Sequence, residues 1–106
     1  MPGNFLVILT TLPSAAQARQ ISKRLIQKKL AACVNVLGPA QSFFRWEGKI
    51  DKVREYLLVI KTRASHFDKL SAFLKTCHPY LVPEIVALPI LKGNLPYLNW
   101  IKDSVR

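Results

Sequence analysis

A chain of 106 residues is long enough for one compact core and leaves no room for a second domain, so residues 1–106 are expected to be a single unit. Half of the residues are apolar and no long polar or repetitive tract separates them, which excludes a disordered chain. Sixteen Lys and Arg against six Asp and Glu give a formal charge of +10, an unspecific attraction for nucleic acid, anionic lipid or anionic metabolites.

In chain order, residues 4–11 form a near-continuous apolar run with Val and Ile, read as a strand covered on both faces or nearly so and ended by Leu12-Pro13. Ser14-Ala15-Ala16-Gln17 has the capping-box spacing that starts a helix. Behind it Ala18, Ile21, Leu25 and Ile26 make an apolar stripe, and Arg19, Gln20, Lys23, Arg24 and Gln27 fall opposite. This helix is expected to end near Lys29 or Leu30.

The β-prone stretch from Ala31 to Ile50 reads as one long strand with a bulge or bend at Gly38-Pro39, because both residues disrupt a regular ladder. The turn that follows sits either at Glu47-Gly48 or at Asp51-Lys52, and residues 55–62 return as a strand. Ser65-His66-Phe67-Asp68 has the form of a second cap, with Phe67, Leu70, Phe73, Leu74 and Cys77 spaced for one helix face. Pro79 pushes the residue before it out of helical space, so Cys77 ends that helix and His78 leaves it. Residues 85–90 suit a short buried strand, and Lys92-Gly93-Asn94 is a turn with Asn94 as cap of a final helix carrying Leu98, Trp100 and Ile101.

The order strand, helix, strand, strand, helix, strand is that of an α+β, ferredoxin-like split βαβ sandwich with a C-terminal helix added. Both helices then lie on one face of an antiparallel sheet. The opposite face, with Phe43, Phe44, Trp46 and Tyr56 on its long strand pair, would be an apolar patch in water, which predicts self-association. Two cysteines cannot build a disulfide framework, and no basic segment leads into a long apolar one at the start, so a reduced, cytoplasmic protein is expected. Phe5–Leu9 is far shorter than the roughly 20 apolar residues of a membrane span.

Five spaced blocks, in one order, carry a resemblance: residues 30–35 (LAACVN), 46–50 (WEGKI), Lys61-Thr62, 78–90 (HPY, VPEI and ALPI within it), and Tyr97-Leu98 with Trp100. With them the chain resembles the CutA family of divalent cation tolerance proteins over almost its whole length. The resemblance implies a tight homotrimer akin to the PII signalling proteins, cytosolic and associated with copper or another divalent metal. Family members often carry His-His-Pro-Tyr where this chain has Cys77-His78-Pro79-Tyr80, which would make Cys77 a soft-ligand substitute beside His78.

Cys77 and His78 offer the thiolate and imidazole that copper and zinc prefer, but two adjacent residues need further ligands from elsewhere. In the alternative, Cys77 packs on its helix and His78 hydrogen-bonds the loop. Cys33, between Ala32 and Val34, reads as packing rather than reactive. A second constellation comprises Trp46, Glu47 and Lys49 at the end of the hairpin and Lys61, Tyr80 and Glu84 near strand ends. In an assembled trimer these two groups could meet across subunits in a cleft for a small anionic ligand, the alternative being that Trp46 anchors an interface and the carboxylates pair with lysines. No nucleophile partner for a histidine, no phosphate loop and no metal-hydrolysis spacing is present, so an enzyme is not expected. The basic residues are dispersed along the chain, which makes nucleic acid an unlikely partner and solvated faces the main reading.

Overall fold

The computed structural model describes residues 4–106. Strand β1 (Phe5–Leu12) leads to helix α1 (Ala15–Gln27), strands β2 (Cys33–Trp46) and β3 (Lys49–Arg63), helix α2 (Phe67–Cys77), strand β4 (Val86–Pro89) and helix α3 (Leu95–Ser104). The sheet order is β2-β3-β1-β4 with every neighbouring pair antiparallel, which is the ferredoxin-like topology.

Register divides the side chains between two faces, because directly paired antiparallel residues share a side. Ile8 pairs with Ile60, Thr10 with Leu58 and Leu12 with Tyr56. On that side α1 supplies Ala18, Ile21 and Leu25, and α2 supplies Leu70 and Leu74, to one buried cluster. Each fully buried Leu or Ile contributes about 1.5–3 kcal/mol, so this layer dominates the stability of the fold. Its two buried hydroxyls are partnered: Thr62 Oγ1 donates to the Leu30 carbonyl at 2.7 Å, and Thr10 Oγ1 meets His78 Nε2 at 3.2 Å. On the other face α3 covers one end only, where Ile101 and Val105 are buried with Ala32 against Phe5 and Leu98.

The Ser14 cap forms as its spacing predicts: Ser14 Oγ accepts from the Gln17 amide at 3.1 Å and also donates to Gln17 Oε1 at 3.1 Å. The stripe on α1 is narrower than expected, since Ala18, Ile21 and Leu25 are buried while Ile26 is exposed. At Gly38-Pro39 the β2–β3 register shifts between Leu37 and Ala40, the expected bulge. The turn falls at Glu47-Gly48, whose φ values of 50° and 76° are those of a two-residue turn matched to the twist of a hairpin.

Three expectations are corrected. Ser65 does not cap α2; its hydroxyl meets His66 Nδ1 at 3.1 Å, and the chain enters the helix through a 3-10 turn at Ala64–His66. Asn94 makes no side-chain cap, and α3 starts with Pro96 in its first turn instead. β4 is not a core strand, because the topology leaves it at a sheet edge paired to β1 alone, and all four of its residues are exposed. β1 is nearly covered on both faces, as read: alternate residues of its second half are buried and all the others are partly so.

One feature of the register has the widest consequence. β1 pairs with β3 only from Tyr56 to Arg63, whereas β2 pairs with β3 on to Trp46↔Lys49. The outer part of the hairpin, residues 40–55, therefore projects as a two-stranded arm beyond the rest of the sheet. It leaves Phe43 65 %, Trp46 62 % and Ile50 75 % exposed.

Gly38 makes the bend from which the arm departs. Its φ is +150°, and a Cβ there would lie 2.8 Å from the Tyr56 ring and 3.0 Å from the Glu55 carbonyl oxygen. Gly38→Ala is expected to cost about 1–3 kcal/mol in chemical denaturation. A melting curve unchanged from the parent protein would refute that reading of the bulge.

Candidate functional site

The loop after α2 turns back across the end of the sheet and closes one side of a trough under the hairpin arm. Alternation on the arm sends Ser42, Phe44 and Trp46 of β2 and Asp51, Val53 and Glu55 of β3 to the same side. These residues, with Thr11, Phe43, Pro79, Tyr80, Leu81, Val82 and Glu84, line a cavity of about 870 Å³.

The loop is held by two anchors. His78 is the first: its Nδ1 accepts from the Tyr80 amide at 3.2 Å, so in the neutral ring Nε2 carries the proton and donates to Thr10 Oγ1. Burial lowers the His78 pKa below the ordinary 6.5, partly opposed by a hydrogen bond at the Thr11 backbone and by the charge of Glu55. Tyr80 is the second: its hydroxyl donates to Glu55 Oε2 at 2.7 Å, joining the loop to β3. Burial, then the bond to Glu55 and its negative charge, push the Tyr80 phenol up to about 12. It therefore remains a donor at every physiological pH. Glu55, only 7 % exposed, depends on that donor.

Of the six residues named for a ligand cleft, Trp46, Tyr80 and Glu84 come together on this trough within one chain. Glu47 lies in the hairpin turn at positive φ, and Lys49 pairs across the ladder from Trp46; neither lines the cavity. Lys61 lies elsewhere, directly opposite Cys33 in the β2–β3 register, where its ammonium donates to Asn35 Oδ1 and sits 4.0 Å from Cys33 Sγ. Cys33 is consequently not enclosed among apolar side chains. It is partly exposed beside a cation, because its position on β2 turns it away from the helices.

Cys77 and His78 both make contacts close to their own helix end and loop. The Cys77 thiol points along its own helix to the carbonyls of Phe73 at 3.4 Å and Leu74 at 3.8 Å. Burial raises its pKa against the opposing charge of Arg24, so the group is a thiol rather than a thiolate. Among the described residues no three His, Cys, Asp or Glu side chains gather as a metal cluster. A closed chelate is thus not supplied by one copy of the chain.

The charged lining of the trough is acidic: Asp51, Glu55 and Glu84 line it and no Lys or Arg does, although Lys49, paired with Trp46, shares that face of the arm. Half of the carboxylates of a chain with formal charge +10 are therefore collected at one cavity. Sequence reasoning missed Asp51 and Glu55. The signal was the period-2 spacing Asp51, Val53, Glu55, which places all three on one strand face, but Asp51-Lys52 also had the polarity of a turn.

A sequence model described as CutA1 divalent ion tolerance protein matches residues 6–104. The chain is 47 % identical over 98 residues to the divalent-cation tolerance protein CutA of Thermus thermophilus, covering 92 % of this chain and 95 % of that one. It is 39 % identical over 103 residues to human protein CutA, covering 97 % of this chain but only 58 % of the human protein's length. Among solved structures it is similar to CutA1 from Oryza sativa, with a TM-score of 0.95 and 43 % identity, covering 99 % of this chain and 96 % of that one. A further similarity is to a structure titled periplasmic divalent cation tolerance protein CutA from Archaeoglobus fulgidus, with a TM-score of 0.93 and 43 % identity over 96 % and 99 % of the two chains.

Tyr80→Phe leaves the Glu55 carboxylate without its phenol donor in a buried place, and a loss of about 1–3 kcal/mol is expected in urea unfolding. An unchanged unfolding midpoint would show that solvent replaces the bond. For His78 the sign follows from its lowered pKa: the unfolded chain takes up the proton first as pH falls. Stability is therefore full above about 6.5 and declines as pH falls from there through the folded-state value. Melting temperature between pH 7.5 and 5 is expected to fall less in His78→Asn than in the parent protein, and parallel curves would exclude His78 as the titrating group.

Proposed function

The chain belongs to the CutA1 divalent ion tolerance family, and from that premise we propose that it serves divalent-cation tolerance as a homotrimer that takes up the cation without catalysing a reaction. The observation that carries the cation reading is the trough, whose charged lining is carboxylate alone on an otherwise basic chain. In an effective dielectric near 20, each carboxylate at ~4 Å attracts a unit positive charge by about 4 kcal/mol before desolvation, and twice that for a divalent ion. An anionic ligand would meet the same carboxylates as repulsion. The alternative of a small anionic metabolite at this cavity is disfavoured on that ground: Lys61 lies elsewhere, and Lys49, on the same face of the arm opposite Trp46, does not line it.

Assembly is supported by the exposed arm. Phe43, Phe44, Trp46 and Ile50 stay exposed within one chain, because β1 ends before it reaches them and the loop after α2 closes only one side of the arm. A second copy offers the same apolar arm and the same basic exterior, and a cyclic arrangement leaves no arm unmatched. Donors from more than one copy then complete the coordination that one copy lacks. Copper is among the divalent ions proposed, and the cytoplasm is the compartment consistent with two free cysteines. No helix among the described residues is long and apolar enough to cross a membrane.

Sedimentation at micromolar concentration is expected to give three times the chain mass, falling towards one in Phe44→Glu/Trp46→Glu; a parent protein sedimenting as one chain would end the assembly proposal. In calorimetric titration with Cu(II), Zn(II) and Mg(II), Asp51→Asn/Glu84→Gln is expected to weaken divalent binding at least tenfold, about 1.4 kcal/mol. Cys77→Ser/His78→Ala is expected to change it less than twofold. The opposite ranking would transfer the site to the Cys77–His78 pair.

A further inference from the structure

Basic residues are spread over the arm as Arg45, Lys49, Lys52 and Arg54, over α2 as Lys69 and Lys75 and over α3 as Lys102, but α1 is the one helix that carries them without any acid. Of the six acidic residues, Asp51, Glu55 and Glu84 line the trough, Glu47 lies in the turn of the arm, Asp68 is exposed in the first turn of α2, and Asp103 is paired with Arg106 at 2.7 Å. Helix α1 has no acidic residue at all, and Arg19, Lys23 and Arg24 within it, with Lys28 and Lys29 just after it, are all exposed. None of these five cations has a carboxylate partner among the described residues. Arg24 and Lys28 instead lie over the Phe73 ring of α2, at 4.9 and 5.4 Å from its centroid, which fixes them at the junction of the two helices. A surface that served only solubility would mix signs, as the i,i+4 acid–base pairs of an ordinary exposed helix do.

This side faces away from the trough and the open sheet face, since Ala18, Ile21 and Leu25 turn the other side of α1 onto the sheet. It is a different surface from the arm on which the proposed self-association rests. We propose that the solvent side of α1 is a docking surface for the phosphate backbone of duplex nucleic acid, read by charge and not by base sequence. Complementarity is with a regular line of phosphates, about one negative charge per 1.7 Å of duplex axis. Between the cations stand Gln20 and Gln27, exposed amides that donate to phosphate oxygens. An anionic membrane fits less well. A helix adsorbed to lipid inserts an apolar face, and the apolar face of α1 is already buried in the core, with Ile26 alone exposed.

The test is fluorescence anisotropy of a labelled 20-base-pair duplex with the full chain, from 50 to 200 mM KCl. Neutralising three phosphates at a slope of about −0.9 each predicts a roughly 40-fold loss of affinity across that range. Arg19→Gln/Lys23→Gln/Lys28→Gln should flatten the dependence to under about threefold, because Gln preserves helix propensity while removing charge. Lys92→Gln/Lys102→Gln/Arg106→Gln removes the same charge from another surface and should bind as the parent does. Both variants must melt cooperatively, and Lys23→Glu alone, expected to weaken binding at least fivefold, serves if the triple variant does not fold. Equal loss in the two triple variants would overturn the proposal in favour of net charge alone. So would tighter binding to phosphatidylserine vesicles, or equal binding to poly-glutamate, or no saturable binding at 50 mM KCl.

Discussion

The structure depends on a mismatch of strand lengths. β3 is fifteen residues long and β1 only eight, so antiparallel pairing with β1 is exhausted at Tyr56 while the β2–β3 ladder continues to Trp46↔Lys49. A two-stranded ribbon alone is marginal in water. The arm is held at its base by the Gly38-Pro39 bulge and along one side by the loop after α2, through Tyr80 to Glu55. The same extension that creates the exposed apolar surface also creates the trough, because the loop can close only one side of an overhanging ribbon.

Electrostatics follows the same division. The helical layer is basic and bears no acid on α1, whereas three of the six carboxylates are drawn to the trough on the other side. Net charge alone would describe this molecule as one that repels cations. The charged side chains that line the trough, Asp51, Glu55 and Glu84, have the opposite sign, and screening over about 8 Å at physiological ionic strength lets distant regions act separately.

His78 shows how a residue that stands out in sequence acquires a structural task. Its neighbour Pro79 ends α2, and both ring nitrogens are then taken up in orienting the loop, one to Thr10 and one to the Tyr80 amide. Cys77 beside it is turned to its own helix. Adjacent ligand-type residues were conspicuous because sequence displays neighbours. The carboxylates that share a cavity come from residues 51, 55 and 84, and sequence displays no such distance.

Local patterns determined the elements and their order. Ser14 with Gln17, the stripe of Leu70 and Leu74, Gly38-Pro39 as a bulge and Pro79 as a stop each act through bonds or sterics within a few residues, so they were legible before any coordinates. The same is true of the split βαβ arrangement, which follows from element order and the handedness of crossovers. Tertiary structure alone decided that β4 is an exposed edge, that Cys33 faces Lys61, that Ser65 and Asn94 do not cap, and that Asp51 and Glu55 join Glu84 and Tyr80. The reason is that register and sheet order set those relations, and both are fixed by the summed burial of many residues far apart in the chain rather than by any one segment.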